Sequence, residues 1–420
     1  MSQYQFCIFL RICQPQINND GYQKYGVTLS SGLMDNGWAI TAQGTHTLGD
    51  GYIDGTNFKA WSYFLSVSKT LNETRHFKII LPSSYKKYTK ITYPVIYILD
   101  GDFLIQSTSG IIEYMSKTGE IPEFIQIYIS NSNRTKDFTP SHTTTNYEKE
   151  NDPTLEDSGG GKKFLKFLNL ELIPHINQSY RTNSFNTLIG RSFAGLIGGY
   201  DYLQTETELN SYILIDPSFW WDKQMVVQLV DNVSRKSIEN RRIYISSSDN
   251  FKFSNYIEEI RNSQNSFYKK IHNQKIDSTK IRHDYFEKNT HGTVTIPSIY
   301  NGLTFIFAGY ELKGMKYRNA DEITNHFVKF SKTYGAEFTP LEGMINWLAS
   351  IQNDKDKIGA LKLYELNAIN YPNSINALLN LAEQYEERNM IEKALNEYKN
   401  VLKIDTKNIK AIEKIKKLRK

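Results

Sequence analysis

The octapeptide Leu188-Ile189-Gly190-Arg191-Ser192-Phe193-Ala194-Gly195 constrains the fold of this 420-residue chain more than any other segment. Asn186–Ile189 reads as the apolar end of a strand, and Leu196–Leu203 has helical apolar spacing. A Ser on so tight a strand-to-helix turn has the geometry of a nucleophile elbow, with the hydroxyl held exposed on strained backbone. Small residues flank such a Ser because strand and helix backbones pass close together. Here Gly190 stands two before Ser192, and Ala194 two after, so the pattern is G-x-S-x-A.

An acid and a His must follow in that order for the turn to carry nucleophilic chemistry. Asp249 lies just past the strand-like Arg242–Ile245, and His291 lies in Asn289-Thr290-His291-Gly292 after the strand candidate His283–Phe286. The first places a carboxylate at the carboxyl end of a strand, where open α/β sheets keep their chemistry. The second puts an imidazole on a loop that can reach the Ser hydroxyl as general base and then general acid. Asp284 and Glu287 are rival acids, and Asp249 could instead cap a helix beginning at Ser254 or be solvated.

Along the chain, residues 1–60 are rich in Gly, Asn, Asp and Thr without a clear period and read as an irregular lead-in. Tyr63–Val67 and Arg75–Leu81 read as antiparallel edge strands, and Pro94–Leu99 as a buried parallel strand. Helical spacing at Ile111–Met115, a strand at Phe124–Ile129 and an amphipathic helix at Phe164–Ile173 precede the elbow, and Tyr212–Ile215 follows it. Alternating strands and helices predict an α/β fold, a doubly wound and mostly parallel sheet, over residues 61–312. Residues 313–339 read as a linker. In the tail, Ala360–Tyr364 and Ala394–Tyr398 recur at a spacing of 34 residues, the tetratricopeptide period. Residues 340–420 are therefore expected to form a small all-α segment of about two helical repeats. So few repeats must lean on a neighbour, self-associate or bind a protein partner.

The net charge of +5 is scattered except for a basic run at Lys414–Lys420, which reads as a solvated helix end rather than a nucleic-acid patch. The two cysteines, Cys7 and Cys13, exclude a disulfide framework or a Cys-based zinc site. No stretch reaches the 18 or so apolar residues a membrane span needs. Phe6–Leu10 is too short for a secretory core, which leaves cytoplasmic and exported locations both open. The eight His and scattered acids show no metal-ligand spacing, so no cofactor or metal is expected.

Several segments together resemble the putative esterase family of α/β hydrolases, which includes siderophore esterases, feruloyl esterases and S-formylglutathione hydrolase. Tyr93–Gly101 resembles its Y-P-V-x-Y-x-L-D-G strand, Asn133–Pro140 its N-R-x-x-D-x-T-P loop, and Asp216–Trp221 its S-P-S-x-W-W segment. His291–Leu303 resembles its H-G-S-V-x-x-P-S-x-Y-x-G-L ending. The resemblance covers about residues 63–310 and is nearest the siderophore-esterase branch. Arg191 stands where that family has His, and Ala194 where it has Gly.

The resemblance implies a serine hydrolase acting on a small-molecule ester, with Ser192 as nucleophile, His291 as base and Asp249 as orienting acid, or a Ser-His dyad without the acid. The oxyanion hole is expected from the backbone N–H of Phe193 and that of Gly101 or Asp102 in the turn after Pro94–Leu99. Arg134 would meet the substrate at the rim or pair with Asp137, and Trp220 and Trp221 would wall the acyl pocket or simply pack. The alternatives are an acyltransferase on the same residues, or a catalytically silent hydrolase fold that recruits a partner through its helical repeats.

Overall fold

A computed structural model describes residues 9–17, 23–33, 39–49, 58–66 and 257 as backbone, and residues 70–249, 258–312 and 319–419 in full. Cys7, Ser254 and residues 313–318 lie outside the described residues. The chain divides into two compact units, residues 1–81, 94–113 and 124–306 in the first, and 82–93, 114–123 and 307–420 in the second.

The first unit is built on one sheet. Its strands are β1 (Phe9–Ile17), β2 (Gln23–Leu33), β3 (Ala39–Gly49), β4 (Phe58–Ser66), β5 (His76–Ile80), β6 (Tyr93–Ile98), β7 (Ile125–Ile129), β8 (Thr182–Arg191), β9 (Ser211–Ile215), β10 (Arg242–Ser248) and β11 (Ile281–Phe286). They lie in the order β1-β2-β3-β4-β5-β7-β6-β8-β9-β10-β11. Pairing is parallel between β6 and β7 and from β8 through β11, as expected for the hydrolase region. From β1 to β7 through β5 it is antiparallel.

Two readings of the N-terminal part need correction. Residues 1–60 are not an irregular lead-in, since β1, β2, β3 and the start of β4 lie there, and neither Tyr63–Ser66 nor His76–Ile80 is at an edge, β5 being paired with β4 on one side and β7 on the other. The signal is present but faint: in Gln23–Leu33 the apolar Tyr25, Val27, Leu29 and Leu33 alternate with Lys, Gly, Thr and Ser, a period of two diluted by small and turn-favouring residues.

The inner parallel strands are buried, with every residue of β6, β7, β9 and β10 inside, whereas the edge strand β11 buries only Ile281. A parallel sheet covered on both faces reads as continuous apolar sequence for that reason. The covering helices are α1 (Gly101–Thr118), α2 (Arg134–Phe138), α3 (Gly161–Phe167), α4 (Ile173–Ser179), α5 (Phe193–Tyr202), α6 (Trp221–Leu229), α7 (Arg235–Ile238), α8 (Ile257–Asn273) and α9 (Thr295–Ile306). On β9 the two faces can be told apart by neighbours in sequence. Gly198 of α5 lies against Leu214 and Leu188, whereas Gly302 of α9 lies against Ile213 and Tyr244. Successive strand residues point to opposite faces, so α5 and α9 cover opposite sides of the sheet. The fold is a doubly wound α/β hydrolase with a helical C-terminal segment.

The second unit carries α10 (Ala320–Tyr334), α11 (Glu342–Asn353), α12 (Lys357–Asn370), α13 (Ile375–Glu387), α14 (Ile391–Ile404) and α15 (Ile409–Leu418). Helix α10 occupies most of the stretch read as a linker. Its Ile323, Phe327, Phe330 and Tyr334 form one buried stripe, and Tyr310 meets Phe327 edge-on at 5.3 Å. Asn319 caps its start by accepting from the Glu322 N–H, and Gly335, at φ 66°, ends it in the left-handed region. Beyond it the helices pair in sequence, α11 with α12 and α13 with α14. Ala360, Tyr364, Leu378, Leu381, Ala382, Tyr385, Ala394 and Tyr398 are buried. Glu342 accepts from Ser374 Oγ at 2.5 Å and from Lys87 Nζ at 2.7 Å, and Tyr371 Oη donates to the Pro340 carbonyl at 2.6 Å. Among the described residues, no helix is long and apolar enough to cross a membrane.

Candidate active site

Strands β6 and β8 are neighbours whose chain continuations leave toward opposite sides of the sheet, β6 toward β7 and β8 toward β9. Such a switch point leaves a crevice at the carboxyl ends, where α/β sheets bind ligands. Asp100–Gly101 follows β6, Ser192 follows β8, Asp216 follows β9, Asp249 follows β10, and the His291 loop follows β11.

Ser192 has φ 59° and ψ −118°, a strained conformation held by its surroundings. Its N–H donates to the Ile215 carbonyl at 3.0 Å, and its carbonyl accepts from Leu196 and Ser218 N–H at 2.9 and 3.1 Å. Gly190 is required here, because a Cβ would stand 2.3 Å from the Ala194 carbonyl oxygen. The tight approach at the elbow thus involves the backbone of Ala194, while its methyl is fully buried. The Ser192 and Ser218 hydroxyls are 3.2 Å apart.

His291 Nδ1 lies 2.7 Å from Asp216 Oδ2. Asp216 is nearly completely buried and adopts φ 44°, with its N–H donating to the Ser246 carbonyl at 2.9 Å. Ser248 Oγ and the Ser248 N–H donate to its carboxylate at 2.5 and 3.1 Å, and Gln264 Nε2 at 3.0 Å. Burial acts to raise the Asp216 carboxyl, but the bonds from His291, Ser248 and Gln264 outweigh it and hold the group below the ordinary carboxylate range.

Asp249 is placed elsewhere. Its carboxylate pairs with Arg261 of α8 at 3.0 Å, and Arg261 stacks over Tyr285 at 4.6 Å. Its N–H donates to the Asn289 carbonyl at 2.8 Å, so it supports the His291 loop through the backbone. The rival Asp284 pairs with Arg282 at 2.8 Å and accepts from Tyr244 Oη at 2.9 Å. The sequence signal for Asp216 was present: it is the residue standing where the resembled S-P-S-x-W-W segment begins with Ser.

Arg134 bonds neither Asp137 nor open solvent alone. Its Nε and Nη2 grip Asp100 at 2.8 and 3.0 Å, and Nη2 also donates to the Arg191 carbonyl at 3.1 Å. Asp137 is instead held by buried Arg75 at 2.6 Å. Asn131 Nδ2 donates to Asp100 at 2.5 Å, so the turn that begins α1 is pinned from two residues. Gly101 is sterically required there, since a Cβ would meet the backbone of Tyr128 and Ile129 at 2.6 Å. The N–H groups of Gly101 and Asp102 open α1, and that of Phe193 opens α5. The first four N–H groups of a helix have no intrahelical partner. The Asp102 side chain is exposed and faces Lys78 at 3.5 Å.

The two tryptophans separate. Trp221 is fully buried, and its indole N–H donates to the Ser141 carbonyl and hydroxyl at 3.2 Å, so it is a packing residue rather than a pocket wall. Trp220 is partly exposed between Tyr147, at 5.6 Å, and Phe193, at 6.1 Å. Arg191, which stands where the resembled family has His, reaches the His291 carbonyl with both Nε and Nη2, at 3.2 and 2.8 Å. Among the described residues, no group of three or more His, Cys, Asp or Glu could hold a metal ion.

The comparisons with known proteins agree with this architecture. The family model described as Putative esterase matches residues 68–285, just over half the chain. Ferri-bacillibactin esterase BesA of Bacillus subtilis is 28% identical over 207 residues, which cover 46% of this chain and 69% of that protein. An IroE-like serine hydrolase structure from Shewanella oneidensis shares the fold at TM-score 0.63 and 24% identity, covering 72% of this chain and 97% of that one. An uncharacterised protein from Capnocytophaga ochracea aligns at TM-score 0.55 and 17% identity, over 85% of this chain and 99% of that one. The chain therefore belongs to the Putative esterase family and is a carboxylic ester hydrolase.

Proposed function

We propose that the ester is cleaved by a Ser192–His291–Asp216 triad, with Asp216 taking the place expected for Asp249. The observation that carries this reading is the 2.7 Å contact between His291 Nδ1 and the buried Asp216 carboxylate. With Nδ1–H donating to Asp216, the free lone pair of the neutral imidazole is on Nε2, the nitrogen that must accept a proton. Ser192 Oγ attacks the ester carbonyl carbon while its proton passes to Nε2. The oxyanion is received by the N–H of Phe193 and that of Gly101 or Asp102, each such donor being worth roughly 2.7–4 kcal/mol of barrier. Collapse expels the alcohol with the proton from Nε2, and water, deprotonated by the same nitrogen, releases the acid from Ser192.

Trp220, beside Phe193 and Tyr147, walls the substrate side, and Arg134 acts by holding the Asp100 turn. A siderophore ester is the first substrate to try, from the resemblance and from the activity named for the B. subtilis relative. The helical segment reads as tetratricopeptide-like: α11, α13 and α15 begin at Glu342, Ile375 and Ile409, and α12 and α14 at Lys357 and Ile391, close to the 34-residue period.

The test is hydrolysis of p-nitrophenyl butyrate with labelling by a fluorophosphonate probe. Wild type should turn over and label, and Ser192→Ala should do neither. Equal turnover by Ser192→Ala would remove Ser192 from the mechanism.

A further inference from the structure

We propose that Arg191 is a positioning residue that clamps the His291 loop to the nucleophile strand. Its Nε and Nη2 form a fork onto one acceptor, the His291 carbonyl, at 3.2 and 2.8 Å. Arg191 is the last residue of β8 and is bonded directly to Ser192, so one end of the clamp is set by the rigid sheet. The other end is a largely exposed loop. Inside that loop Asn289 and Thr290 bond Thr293, and the Asp249 N–H after β10 holds the Asn289 carbonyl; Arg191 adds a tie at His291 itself.

The same residue also ties in the third part of the site. Its carbonyl accepts from Arg134 Nη2 at 3.1 Å, and Arg134 grips Asp100 in the turn that opens α1. Segments after β6, β8 and β11 are thus joined through Arg191. Burial and the neighbouring Arg134 disfavour its charge, while Asp100 and Asp216 favour it. A half-buried guanidinium beside a second one is costly to place unless its donors are used. Two of its five N–H donors, one on each of two nitrogens, converge on the His291 carbonyl, which makes the side chain a tie on the loop that carries the base.

This inference rests on the reading of His291 as general base, and one set of variants separates the two. Wild type, Arg191→Met and Arg191→Lys are compared for kcat and KM on p-nitrophenyl butyrate, fluorophosphonate labelling rate, and thermal unfolding. Loss of the clamp should lower kcat and labelling together by about 10- to 100-fold, the scale of a small misplacement of a catalytic group. KM should stay within about twofold and Tm within a few degrees, because no core contact is lost. Arg191→Lys should recover part of kcat through its single ammonium.

Unchanged kcat in Arg191→Met overturns the proposal, as does a rise in KM alone, or Arg191→Lys no better than Arg191→Met. If Arg191→Met fails to fold, Arg191→Lys decides: a smaller fall in kcat at constant KM supports the clamp, and wild-type kcat overturns it. If wild type neither labels nor turns over, the Ser-His reading itself fails, whatever Arg191 does.

Discussion

His291 Nδ1 and Asp216 Oδ2 meet at 2.7 Å across 75 residues of sequence, joining the turn after β9 to the loop after β11. The carboxylate is saturated by Ser248 and Gln264 on its other lone pairs, so its direction toward the imidazole is set by the sheet. Asp249, one strand further along, has its charge answered by Arg261.

Two asparagine variants separate these acids. Asp216→Asn should lower kcat/KM by about 10³- to 10⁴-fold, the scale seen when an orienting acid is neutralised and the imidazole tautomer is lost. Asp249→Asn keeps the N–H that bonds Asn289 and should stay within a few-fold of wild type. The reverse order in steady-state assays would return the acid to Asp249.

Ala194 departs from the elbow pattern, yet the close approach there is between Gly190 and the Ala194 backbone. Ala194→Gly should therefore leave kcat/KM within about threefold. Placing Gly in helix α5 should lower stability by roughly 0.5–1 kcal/mol. Urea unfolding and the butyrate assay together check both; a tenfold gain in activity would show that the methyl misaligns the nucleophile.

The paired tryptophans should respond oppositely to truncation. Trp221→Ala opens a cavity in a fully buried site and should cost on the order of 3–5 kcal/mol of folding stability. Trp220→Ala should change KM and leave the unfolding midpoint nearly in place. Equal destabilisation by both would make Trp220 a packing residue too.

His283 of β11 lies against Ser247 Oγ at 2.7 Å, and burial pushes its pKa down to about 4. The unfolded chain therefore binds a proton at this His near pH 6.5 that the folded chain refuses until near pH 4. Its contribution to stability is intact above pH 6.5 and is lost as pH falls toward 4, amounting to about 2 kcal/mol between pH 7 and pH 5. His283→Gln should flatten that part of the pH dependence in urea titrations. An unchanged slope would assign the acid sensitivity to other groups.

What the sequence determined by itself is what local chemistry determines. Gly190 and Ser192 between apolar strand and helix can hardly form anything but a strained turn, and fully apolar strands separated by amphipathic stretches demand a sheet covered on both faces. The recurrence of Ala360–Tyr364 at Ala394–Tyr398 likewise marked the paired helices of the tail. Helix α10, in the stretch read as a linker, is also locally encoded, in the spacing of Ile323, Phe327, Phe330 and Tyr334.

Other features were harder to read. Strands β1 to β3 pair with their neighbours in sequence, but the alternation in β2 and β3 (Tyr25, Val27 and Leu29; Ile40, Ala42 and Leu48) is diluted by the Gly, Thr and Ser that also mark loops. Asp216 and Asp249 both follow strands and both lie between Ser192 and His291, so chain order alone could not choose between them. Only the tertiary structure separates their surroundings, because lone-pair direction and the nearest cation are set by distant segments: Arg261 pairs with Asp249, whereas the Asp216 carboxylate faces the imidazole, which is the ground for proposing Asp216.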